Sequence, residues 1–209
     1  DILIKEKEQT IPQLIEKTSL SLPTVTRAVE YGIEIGLLQQ NSVAESTGGR
    51  KPKCYCVNSN YADLLLIYYS DGKLFYRILN ILSKTVFENE INTNLASVLS
   101  DIEKIMVEEV SKNKNIKVAV ISINGVIKDG NIIEWWANPQ ANNYNLKEHL
   151  ENIAGISVVV ENDMKTVTKA CGEYVEQYQE KNIVSVQFGH NGFGSGISIN
   201  GKVLHGKSG

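Results

Sequence analysis

The sequence predicts an α/β fold in which a small helix-turn-helix with a β-hairpin wing precedes a larger domain built on a mixed sheet. Three observations carry this prediction. Two short helical patterns near the start are each opened by a hydroxyl residue and an early proline. A basic, glycine-containing turn then separates two short strand patterns. Beyond Tyr61, strand runs give way to helices alternating with uninterrupted apolar segments.

The first helix starts at Thr10, an N-cap with Pro12 in the first turn, and Ile11, Leu14 and Ile15 recur at helical spacing until the pattern stops around Thr18 to Leu20. Ser21-Leu22-Pro23-Thr24 restarts it. The second helix runs through Val25, Val29 and Ile33 to a stop at Gly36. Leu37 to Gln40 and Cys54 to Val57 read as the strands of a wing, with Ser46-Thr47-Gly48-Gly49-Arg50-Lys51-Pro52-Lys53 as its turn. The polar Asn58-Ser59-Asn60 marks a boundary, giving domains 1–58 and 59–209.

In the second domain Leu64 to Tyr69, Leu74 to Leu82 and Thr85 to Ile91 read as an antiparallel meander, and Leu95 to Val110 as an amphipathic helix. Val118 to Ile123, Ser157 to Val160 and Ile183 to Phe188 read as buried strands, interleaved with helices over Leu146 to Ile153 and Thr166 to Tyr178. A glycine-rich turn and a hairpin arm, Gly196 to Val203, follow.

At 209 residues, 42% hydrophobic and 22% charged, the chain has too much apolar content to be a disordered tail. A net charge of −3 argues against a protein that coats nucleic acid wholesale and leaves room for a local DNA-binding face. No apolar run approaches the roughly 20 residues that span a bilayer, and no signal-peptide pattern opens the chain. Cys54, Cys56 and Cys171 are odd in number, which fits reduced thiols in a cytoplasmic protein. Asp1 is not a start methionine and Gly209 follows no closing element, so the chain reads as a fragment.

Several constellations could carry chemistry. Ser21, Leu22, Thr24, Thr26 and Arg27 crowd the start of the second helix, the end that enters the major groove in helix-turn-helix proteins. Arg50, Lys51 and Lys53 gather at the wing, where cations meet phosphates or the minor groove. The competing reading is a helical hairpin used for protein packing beside a solvated basic turn. Cys54 and Cys56 share a strand face, but a structural zinc site needs four ligands and nothing nearby supplies the others; packing is the better account.

Asn162 and Asp163 fall where a buried strand gives way to a helix, the place where open α/β sheets bind ligands. Their donors and acceptors suit sugar hydroxyls, although either residue could simply cap the helix. The run Gly189 to Gly196 could cradle a phosphate or form a tight hairpin turn; no helix follows it, so neither a Walker loop nor a dinucleotide fingerprint fits.

Taken together, Ser21-Leu22-Pro23-Thr24-Val25-Thr26-Arg27, the Glu45-Ser46-Thr47-Gly48-Gly49-Arg50-Lys51-Pro52 wing, Val160-Glu161-Asn162-Asp163 and Gly192-Phe193-Gly194-Ser195-Gly196-Ile197 stand in the order found in the ROK family of repressors, open reading frames and sugar kinases. The chain resembles that family over essentially its whole length. The resemblance implies an actin/hexokinase-like (ribonuclease H-like) domain, incomplete at its C-terminus, behind a winged helix-turn-helix. It also implies sugar contacts at Gly125, Asn138, Asn162 and Asp163, with Asp163 at the position of the kinases' catalytic base.

The family's kinases carry a first phosphate loop reading Gly-Ile-Asp-Ile-Gly-Gly-Thr-Lys. Here the matching stretch is Leu66-Ile67-Tyr68-Tyr69-Ser70-Asp71-Gly72-Lys73. Tyr68 replaces the metal-associated Asp, and Ser70 and Asp71 replace two glycines. A carboxylate at Asp71 would repel a triphosphate by about 1–4 kcal/mol at about 4 Å, depending on the effective dielectric, and phosphoryl transfer depends on the opposite arrangement. Asn191 likewise stands where the second phosphate loop usually has Thr.

The family's Glu-x-Gly-His contacts and zinc motif would lie beyond Gly209, so no cofactor is expected within the chain. These departures imply no catalytic residues and a cytoplasmic, sugar-responsive transcriptional regulator, a repressor of carbohydrate-utilisation genes. Its expected partners are operator DNA, a sugar or sugar-phosphate effector and a second copy in a homodimer, with no membrane. An ATP-dependent sugar kinase is the alternative.

Overall fold

The structure, a computed structural model, describes residues 2–42, 53–135, 138–179, 181–189 and 192–207. The chain divides into two compact units, Asp1–Ala62 with Asn80–Lys84 and Asp63–Leu79 with Thr85–Gly209.

The first unit runs α1 (Ile2–Glu6), β1 (Glu8–Thr10), α2 (Ile11–Thr18), α3 (Leu22–Glu34), β2 (Leu38–Ser42) and β3 (Lys53–Val57), with a sheet in the order β1-β3-β2. Thr10 caps α2 in a reciprocal box. Its backbone N–H donates to Gln13 Oε1 at 2.8 Å, and its Oγ1 accepts from the Gln13 N–H at 3.4 Å. Ser19, in the left-handed region at φ 57°, ends α2 and turns the chain into α3. Ser21 makes no side-chain cap; its Oγ instead bonds Thr24 Oγ1 at 2.8 Å. Leu14, Val25, Val29 and Tyr55 form this unit's core. Neither α1 nor β1 was expected: five and three residues are too short to show a period.

The second unit is organised by a five-stranded sheet in the order β10-β7-β4-β5-β6. Its strands are β4 (Asp63–Ser70), β5 (Lys73–Asn80), β6 (Thr85–Asn92), β7 (Ile116–Ile123) and β10 (Ser157–Asn162). Between β7 and β10 lies a small hairpin, β8 (Val126–Lys128) and β9 (Asn131–Glu134), which the sequence reading missed. β7 pairs in parallel with both β4 and β10, in register Leu65↔Ala119↔Val158 and Ile67↔Ile121↔Val160.

These alternate residues are all buried and pack with Ile102 and Met106 of α4 (Val98–Lys112) and Leu150 of α5 (Leu146–Ala154). β5 and β6 pair antiparallel, as the meander required, and β6 is laced to β5 by Lys73–Glu90 at 2.6 Å and Arg77–Glu88 at 3.0 Å.

α6 (Asp163–Tyr174) starts and ends earlier than expected, and a separate sheet, β11 (Ile183–Gly189), β12 (Gly192–Ile199) and β13 (Lys202–Val203), packs on it. Two expectations are corrected here. β11 is not buried on both faces: Val184, Val186 and Phe188 are exposed. β11 and β12 do form a hairpin and Gly196 lies in its arm, as expected, but the arm starts earlier: Gly192 and Gly194 belong to strand β12 and not to the turn.

Gly194, Gly196 and Ser198 face inward and alternate with the exposed Phe193, Ser195, Ile197 and Ile199. A Cβ on Gly196 would lie 2.6 Å from the Met164 carbonyl oxygen and collide with Thr168 Oγ1; one on Gly194 would lie 2.8 Å from Met164 Cγ. These glycines let helix backbone and strand backbone meet. Gly196→Ala is therefore expected to lower stability by about 1–3 kcal/mol, measured by urea unfolding, while the outward-facing Ser195→Ala changes it little.

Candidate functional site

β4, β7 and β10 run parallel, so their carboxyl ends open at one edge of the sheet, where backbone and side-chain polar groups converge. Asn162 closes β10 and is the N-cap of α6. Its Oδ1 accepts from the Lys165 backbone N–H at 3.0 Å. Its Nδ2 donates to the Gly125 carbonyl, just past the end of β7, at 2.9 Å. The structure thus joins two of the residues implied for sugar binding, and it shows Asn162 as the helix cap that was one of its two readings.

Gly125 is needed for close approach: a Cβ there would sit 3.1 Å from the Glu134 carbonyl oxygen. Beside it Asn124 Oδ1 accepts from Trp135 Nε1 at 2.9 Å, and Trp135 is fully buried, edge-on to Tyr69. An indole and two amides therefore fix the turn after β7 before any ligand arrives.

Asp163 opens α6. Its Oδ1 accepts from the Met164 N–H at 2.8 Å. Burial raises its carboxyl pKa above the ordinary carboxylate value, against the opposing pull of that backbone hydrogen bond. A half-buried carboxyl with a raised pKa is suited to accept a hydroxyl proton or hydrogen bond.

Asn138 stands at the start of a 3-10 turn, Pro139–Ala141, with its backbone N–H donating to Trp135 O at 3.0 Å. Among the described residues no hydrogen bond joins Asn138 to Gly125, Asn162 or Asp163. Two cavities, of about 490 and 710 Å³, border this unit, and neither is lined by Asn162 or Asp163.

The sequence reading missed a neighbouring cluster. Lys165 is buried, and its Nζ has no hydrogen-bond partner among the described residues; it lies 4.0 Å from Glu161 Oε1. His205 Nδ1 lies 3.7 Å from Glu161 Oε2. The Glu161-Lys165 spacing was visible, but it straddles a strand end and a helix start, where helical pairing rules give no signal.

In the first unit Ser21, Leu22, Thr24 and Arg27 are exposed along the start of α3, whereas Thr26 is half-buried and turned toward the core side. Ala28 and Tyr31 continue the exposed side and were not anticipated. Lys53 is exposed at the start of β3, and Arg50 and Lys51 lie outside the described residues. Cys56 is buried and Cys54 and Cys171 half-buried. Among the described residues no group of three or more His, Cys, Asp or Glu is arranged to hold a metal ion. No described helix is long and apolar enough to cross a membrane.

At the first loop of the second unit, Asp71 and Gly72 form the tight turn between β4 and β5, both at positive φ. Tyr68 stacks on Phe75 with ring centroids 4.9 Å apart.

A parallel-centred α/β domain with polar residues gathered at its strand ends, behind a small helical unit, is the class these elements define. The chain belongs to the ROK family, which its residues 74–209 match.

Its fold is similar to that of a ROK family transcriptional regulator, a homologue of the E. coli MLC protein, with 20% identity and a TM-score of 0.74 over 96% of this chain and 53% of that one. It is also similar to a ROK family glucokinase from Streptomyces griseus in complex with glucose and AMPPNP, at 17% identity and a TM-score of 0.59 over 70% of this chain and 47% of that one. A third likeness is a ROK family protein from Streptococcus pneumoniae in complex with sucrose, at 21% identity and a TM-score of 0.56 over 70% and 49%. The chain spans about half the length of these structures. No curated protein matches it in sequence.

The raised pKa of Asp163 has a consequence with a definite sign. Above both its folded and unfolded pKa the buried carboxylate costs stability, and below both it costs nothing. Asp163→Asn is expected to melt higher than the parent near pH 7. The gap should close as pH falls toward the ordinary carboxylate value of about 3.9, followed by Tm against pH.

Proposed function

We propose that this chain is a sugar-responsive transcriptional regulator, a repressor of carbohydrate-utilisation genes, with residues 1–58 acting as a winged helix-turn-helix and 59–209 as an effector domain. What carries the reading is coverage: the regulator structure is matched over 96% of this chain, the two sugar-bound family structures over 70%. α3, with Ser21, Leu22, Thr24 and Arg27 exposed at its start and no carboxylate in its first turn, suits entry into a major groove. Thr26 supports the helix rather than reaching bases. Lys53, Arg50 and Lys51 would neutralise phosphates from the wing.

In the second unit a sugar or sugar phosphate would take the Asp163 carboxyl and the Asn162 amide, near Gly125 and Asn138. Asn162 already holds Gly125 and α6, so a ligand that engages it pulls on the turn after β7 and on the helix together. The effector would change operator affinity in a homodimer only by binding one conformation better than the other.

The kinase reading has two observations in its favour, the half-buried Asp163 with its raised pKa and the likeness of the fold to a family glucokinase. Against it stand Asp71 at the tip of the first loop and the Tyr68–Phe75 stack, where a triphosphate would need open backbone.

Arg27→Ala is expected to weaken salt-dependent binding to an operator by about 1–3 kcal/mol, read by fluorescence anisotropy. ADP release with a panel of hexoses and amino sugars should stay at background. Turnover that Asp163→Ala abolishes would establish the kinase instead.

A further inference from the structure

We infer that α3 reads a guanine flanked by thymines, through the Arg27 guanidinium and the methyl groups of Thr24 and Ala28. The inference deepens the DNA-binding reading above and rests on it. The burial of α3 fixes which residues are free to read bases. Val25, Val29 and Gly32 are buried and turn one side of the helix inward. Thr24, Arg27, Ala28 and Tyr31 are all exposed and follow one another at i, i+3, i+4 and i+7, a single stripe that flanks the buried side.

The chemistry of that stripe is narrow. It holds no Asn or Gln, the side chains that pair bidentately with adenine, and no Asp or Glu, which accept from the cytosine amino group. Arg27 is its one cation, with a planar fork that matches guanine O6 and N7. Thr24 and Ala28 each offer a methyl group, and thymine alone presents a methyl in the major groove.

Thr24 is oriented by the bond of its Oγ1 to Ser21 Oγ at 2.8 Å, and it presents its methyl beside that hydroxyl. Ala28, with the shortest side chain of the stripe, lets the helix axis come close to the base edges. Tyr31 lies a turn further on, and its exposed phenol can donate to a phosphate. Glu30 is exposed one turn after Arg27 and Glu34 a turn further on, and their charge favours an approach led by the N-terminal end of α3.

The test uses the full chain and a randomised duplex pool. Selection is expected to return half-sites with an invariant G beside T. Replacing those thymines singly by deoxyuracil removes only the C5 methyl and should weaken binding about fourfold each, the worth of one buried methyl group. Thr24→Ser keeps the hydroxyl and loses the methyl, so in that variant the penalty at one thymine should vanish while the other persists.

Selected duplexes that bind equally well with uracil overturn this inference and leave DNA binding intact. A selected site without a guanine, or one whose affinity is unmoved by 7-deazaguanine, overturns the role given to Arg27. No salt-sensitive binding to any member of the pool overturns the DNA reading itself.

Discussion

The second unit turns on the side-chain amide of Asn162. One end of that amide holds the carbonyl of Gly125 and the other holds the first turn of α6, so strand β10, the turn after β7 and the helix are fixed at one point. Each bond is ordinary in strength, about 1 kcal/mol net. Their importance lies in geometry, since the segments they tie arrive from distant parts of the chain. Asp163 follows directly and inherits the position that this junction imposes. An amide here has to supply a donor and an acceptor at once, which a carboxylate cannot do.

Around that point the packing is built for close approach. Trp135, with no exposed surface, stands behind the Asn124-Gly125 turn, and Gly194 and Gly196 let β12 lie against the start of α6. The helix that carries Asp163 is therefore held by a cap at its first residue and by strand backbone along its side. Lys165, buried beside Glu161 with no hydrogen-bond partner among the described residues, is the one charge in this packing that its neighbours do not fully accommodate.

Much of this architecture is legible in the sequence wherever a signal is local. The Thr10 start, the tight turn at Asp71-Gly72 and the strands that pair around β7 follow from a cap, turn residues and apolar periodicity, and α3 starts after Ser21 as expected although that hydroxyl caps nothing. Elements of a few residues, such as β1 and the β8–β9 hairpin, carry too little period to be seen. The glycine run was misread because glycine signals a turn locally, whereas its role in β12 is set by α6 lying across it. An apolar run also cannot say how many of its faces are covered, which is why β11 is more exposed than its composition suggests. At the site, the pairing of Asn162 with Gly125 has no trace in sequence spacing, because it is made by the parallel register of β7 and β10.

The two sheets of the second unit meet solvent differently. β6 ends the five-stranded sheet with an open ladder of backbone groups, but Glu88 and Glu90 on it and Arg77 and Lys73 opposite dress that margin in water-binding ions. Any foreign strand that tried to extend the sheet would have to strip those ions of hydration, so the margin resists fibrous stacking without a covering segment. Among the described residues the outer side of β11 and β12 carries no such ions: Val184, Val186, Phe188, Phe193 and Ile197 stand along it.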